Sequence, residues 1–131
     1  YNVSINGGDR MGRLLDILDR YDGDAEGVCD RFLGDEELLL QCLFQFAKDQ
    51  GFQLLESAIM EQEYQQAFEY AHGLKGVTGN LGLTPLYHEL CKVVENLKAE
   101  DYEKVLDDFV LVKVQYLLYM RMMKEIEEEF K

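Results

Sequence analysis

One proline, no tryptophan and no apolar run long enough to cross a bilayer mark this 131-residue sequence first by what it lacks. With Pro85 its single proline and its apolar residues at helical rather than alternating spacing, the sequence favours an all-helical chain over a turn-rich β protein. Basic residues are scarce: 13 Lys and Arg stand against 26 Asp and Glu, a net charge of −13. Nucleic acid requires a basic face that neutralises phosphates, and an anionic membrane surface requires the same, so neither partner is expected. Lacking a transmembrane run and any signal-peptide pattern, the chain reads as soluble and cytoplasmic. Cys29, Cys42 and Cys91 are odd in number and widely spaced in apolar helical patterns, which predicts reduced core thiols rather than a disulfide framework or a zinc site. The first residue, Tyr1, is not methionine, which reads as processing or excision from something longer.

A hydrophobic fraction of 47% supplies a core and excludes a disordered chain. The length fits one domain over residues 9–131, with residues 1–8 as a linker or tail. A short helix is predicted from Asp9 to Tyr21 with Met11, Leu14, Leu15 and Leu18 on one face, then a second capped by Asp24 and ended by Gly34. Asp35 caps a long helix to about Gln62, bent at Gly51. Tyr64 opens the next, running to about Gly82. Thr84-Pro85 reads as a cap followed by a first-turn proline, restarting a helix that buries Leu86, Leu90, Val93, Val94 and Leu97. Asp101 caps the last helix, in which Val105, Leu106, Phe109, Val112, Leu117, Met123 and Ile126 recur over roughly 45 Å. The fold class is therefore all-α: an antiparallel four-helix bundle, core about Asp35 to Glu125, with one or two short extra N-terminal helices. The chain reads as a monomer, although the length of the last helix leaves room for self-association. Glu63-Tyr64 and Asp101-Tyr102 begin their helices alike, a weak internal echo.

The most informative stretch runs from Phe68 to Gly82. At about 100° per residue, Tyr70, Leu74, Val77 and Leu81 form an apolar stripe, and His72 points away from it. Gly76, Gly79 and Gly82 leave the surface beyond the imidazole bare. Each glycine costs a helix roughly 0.8–1 kcal/mol against alanine, so such a track calls for a reason. Helical side chains lean toward the N-terminus, so a side chain at position 76 would drape over the ring, while Lys75 can bring an ammonium near whatever the ring carries. Imidazole as a class titrates near neutrality, and an exposed ring is a competent nucleophile. Phe68, one turn earlier on nearly the same side, is a candidate docking contact.

Ala71-His72-x-Leu74-Lys75-Gly76-x-x-Gly79-Asn80-Leu81-Gly82 resembles the active-site helix of histidine-containing phosphotransfer (HPt) domains of two-component phosphorelays. The likeness extends from about Asp24 to Glu125, and Gly73 departs from it where a small polar residue is more usual. The resemblance implies a phosphocarrier without autonomous turnover: His72 as phosphoacceptor through Nε2, Lys75 supporting the phosphate, and Gly76 and Gly79 permitting close approach. It implies response-regulator receiver domains as partners, with a hybrid sensor histidine kinase as a further candidate. No cofactor is expected on this chain, the Mg²⁺ belonging to the receiver.

Other readings are weaker. A non-phosphorylated adaptor of the same shape would have no need of an uncovered histidine. Glu69-x-x-His72 matches half of a di-iron motif, but the other histidine, His88, has Pro85 three positions earlier, and no metal is expected. The glycine track lacks the spacing of a nucleotide-binding loop.

Overall fold

The computed structural model describes residues 9–131, and seven helices run through them: α1 (Arg10–Arg20), α2 (Ala25–Arg31), α3 (Glu36–Lys48), α4 (Gly51–Met60), α5 (Tyr64–Asn80), α6 (Thr84–Lys98) and α7 (Tyr102–Phe130). The expected linker, residues 1–8, lies outside the described residues. Aspartates start α1, α2, α3 and α7. Asp9, Asp24, Asp35 and Asp101 each accept from the backbone N–H three residues on, at 3.1, 3.0, 3.1 and 3.3 Å, which satisfies donors the helix itself leaves open.

The pair α3 and α4 forms one side of the bundle, and α5, α6 and α7 follow in antiparallel order, each packed on its predecessor. The bundle closes where α7 returns to α3 and α4: Phe52 stacks between Phe109 and Tyr116, with ring centroids 5.5 and 4.0 Å away. Helices α5 and α7 therefore sit diagonally. Near the bundle end where both begin, Tyr64 and Tyr102 stack at 3.7 Å. At the opposite end, α1 packs on α3 and the last turns of α7, with Arg13–Glu129 and Arg20–Glu125 ion pairs at 2.8 Å. One apolar cluster joins all seven helices.

Several expectations are corrected. The long first bundle helix is two helices. Asp49 leaves helical geometry at φ −68°, ψ 143°, and its carboxylate accepts from Gly51 N–H at 2.8 Å, so a local cap competes with continuation. Thr84 does not cap α6; Leu83 does, without a side-chain bond, and Thr84 is the first helical residue. Helix α5 ends at Asn80 and buries Ala67, Ala71, Leu74 and Thr78, while Tyr70 is half-buried and Val77 is 44% exposed. Its buried face is turned by roughly 60° from the predicted stripe, because alanines and a threonine allow close helix contact where larger residues would hold the helices apart. Leu106 and Leu117 of α7 lie outside, whereas Tyr116, Tyr119 and Met122 lie inside. The cysteines are free thiols, but half-buried rather than core.

Candidate functional site

Helix α5 carries the site because its two sides have different chemistry. Inside, Thr78 solves the problem of a buried hydroxyl by donating to Leu74 O at 2.8 Å, so the face stays polar-satisfied while it packs. Outside, His72 is exposed. Phe68 lies one turn before it with the rings nearly parallel, 20° apart, and centroids 5.9 Å distant. The phenyl ring limits where the imidazole can swing and presents a half-buried apolar surface beside it.

The glycines beyond His72 differ in surroundings. Among the described residues, a Cβ at Gly73 or Gly76 would meet nothing within 4 Å, so their bareness answers no packing need there. At Gly79 a Cβ would stand 3.0 Å from the Tyr87 ring of α6, so there the missing side chain lets α6 approach. Gly82 has φ +70°, a conformation that favours glycine, and a Cβ there would collide with Val28 of α2.

Lys75 is half-buried and lines a groove of about 570 Å³ together with Arg31, Gly76, Gly79, Tyr87 and His88. His72 is not among the residues that line it. Arg31 had no signal in the sequence. It comes from α2, 48 positions before Gly79, and its guanidinium donates to Asn80 O at 3.0 Å and to Gly79 O at 3.2 Å, where Gly79 O also accepts from Gly82 N–H at 3.3 Å. The turn beyond is fixed by Asp24 N–H donating to Gly82 O at 2.9 Å. Tyr87 was missed as well, since nothing local marks which ring covers Gly79. His88 is exposed on the groove wall.

Glu69 and His72 both face outward, away from the bundle interior where a di-iron site would have to be built. Among the described residues, no group of three or more His, Cys, Asp or Glu side chains is placed to hold a metal ion. No helix of the described residues is long and apolar enough to cross a membrane.

The site is thus an open helix surface on which the exposed His72 stands between the Phe68 ring and the bare positions Gly73 and Gly76. The family model of the Hpt domain matches residues 38–128, and the chain belongs to that family. The match spans α3 to α7 and leaves α1 and α2 outside. Members of the family carry phosphoryl groups in phosphorelays. Comparison with curated proteins and with solved structures returned no match.

Proposed function

We propose that this chain is a histidine phosphocarrier in which His72 accepts a phosphoryl group from the aspartyl phosphate of one receiver domain and passes it to another. The observation that carries the reading is the exposed His72 imidazole with open space at Gly76, within a family of phosphotransfer domains. In the accepting step a ring nitrogen, Nε2 by family likeness, attacks phosphorus. The N–P bond forms as the acyl P–O bond breaks, and the carboxylate leaves with the electron pair. Mg²⁺ held by the receiver neutralises phosphoryl oxygens, and this chain contributes position and access. Lys75 supplies a point charge toward the phosphate, and Phe68 supplies apolar contact for the docked receiver. The setting is cytoplasmic.

The test is the intact mass of the protein after mixing with a phosphorylated receiver and Mg²⁺. Wild type is expected to gain one phosphate, labile to acid and stable to base, and His72→Gln none. An adduct of equal yield on His72→Gln would overturn the assignment of the nucleophile.

A further inference from the structure

Helix α7 is apolar on two opposite faces. Val105, Phe109, Val112 and Tyr116 face the core. Leu106, Val110, Leu111, Val114, Leu117 and Leu118 are 39–61% exposed and, at helical spacing, share the face turned away from it. The other exposed large apolar residues are spread over the turn after α2 and helices α3, α4 and α5. A bundle helix ordinarily puts polar residues outward, and a contiguous apolar patch on a surface marks an interaction site.

The charges framing the patch specify what fits it. Glu103 and Asp107 stand at its N-terminal end and Arg121 at its C-terminal end, all exposed. Among the described residues, none of the three makes an ion pair or side-chain hydrogen bond. A second copy laid parallel would set Asp107 against Asp107 and Arg121 against Arg121. Laid antiparallel about Val114, it sets each Arg121 opposite Asp107 of the other copy, Val110 opposite Leu118 and Leu111 opposite Leu117. Glu103 then lies across from Glu125, whose charge Arg20 already answers.

We propose that this outer face of α7 is a self-association surface on which a second copy of the chain docks antiparallel, with Val114 on the two-fold axis. Spacings of three and four residues along the face suit antiparallel helix packing. One helix pair buries less than the roughly 1,200 Å² of a standard interface, so the dimer is weak, with a dissociation constant on the order of micromolar. The proposal stands apart from the phosphocarrier reading, because α7 lies diagonally across the bundle from α5.

Sedimentation velocity of the full chain over about 1–200 µM tests it. The expected result is a shift from the 15.2 kDa monomer toward twice that mass. Val114→Glu is expected to weaken association at least roughly tenfold, with circular dichroism and thermal unfolding confirming that the variant is folded. Asp107→Arg and Arg121→Asp should each weaken it, and the double exchange should restore it. A monomer throughout the range, as a patch reserved for another protein would give, overturns the proposal. So does a dimer indifferent to Val114→Glu, and failure of the double exchange overturns the antiparallel register.

Discussion

Gly76 and Gly79 are identical residues one turn apart whose substitutions should differ in sign. Nothing among the described residues opposes a Cβ at Gly76, so Gly76→Ala removes a helix-interior glycine and is expected to stabilise the fold by about 0.8–1 kcal/mol. Gly79→Ala presses on the Tyr87 ring at 3.0 Å and is expected to destabilise by about 1 kcal/mol or more. Urea unfolding checks both, and a gain at both positions would sink the distinction. If the openness of Gly76 serves a docking receiver, Gly76→Gln should slow phosphotransfer at least roughly tenfold while remaining folded; normal transfer would remove the access argument. A second residue makes a pH prediction. The Tyr119 hydroxyl is buried and donates to Tyr21 O at 2.8 Å. Burial, aided by the Asp22 charge, pushes its pKa well above the usual tyrosine value. The folded state thus holds a proton that the unfolded chain releases, so this group's contribution is intact below about pH 10 and is lost as pH rises further. Tyr119→Phe is expected to lower stability by about 1–2 kcal/mol at pH 7 by orphaning the Tyr21 carbonyl, and to flatten the alkaline decline. Urea midpoints at neutral and alkaline pH measure both, and an unchanged alkaline slope would deny the hydroxyl this role.

At the scale of the element, what could be read in advance was what is local. The capping aspartates act on amides three residues away, so Asp24, Asp35 and Asp101 announced their helices, and Asp9 caps the first one in the same way. His72 was legible because an uncovered imidazole and its glycine neighbours lie on one helix. The break at Asp49 was not, since apolar spacing continues across it while a single carboxylate decides the backbone. The orientation of α5 was misread because Ala67, Ala71 and Thr78 carry little hydrophobic weight yet pack closest. Arg31 was invisible because its partners lie 48 and 49 residues along the chain. Its effect on α5 is nonetheless specific: Arg31→Ala uncovers the Asn80 carbonyl, leaves Gly79 O with the Gly82 N–H alone, and should speed hydrogen exchange of the Leu81, Gly82 and Leu83 amides by roughly tenfold, with little change at Ala67 or Ala71. Equal protection in the variant would mean that the hydrogen bonds to Gly82 O and Thr78 O hold the turn unaided.

For the whole molecule, the placement of α5 and α7 across the diagonal separates two surfaces: one carries the histidine, the other the apolar face proposed to pair copies. What unites the structure is the end formed by α1 and α2, which lies outside the matched segment 38–128 yet inside the core. Leu14, Leu15, Leu18 and Val28 are at most 1% exposed, and the last turns of α7 hold Tyr119, Met122 and Ile126, each also at most 1% exposed, at the end where α1 packs. Fully burying one such aliphatic side chain contributes about 1.5–3 kcal/mol, against a typical domain stability of about 5–15 kcal/mol. A fragment beginning at Glu36 keeps the whole matched segment 38–128 but strips this cover. It is expected to unfold at a markedly lower urea concentration and to exchange the amides of residues 119–126 rapidly, while residues 105–112, still packed on α6, remain protected. A fragment as stable as the full chain would make α1 and α2 appendages. The predicted loss would make them structural parts of this bundle, and because α2 also holds the Gly82 turn, they would set the end of the histidine helix as well.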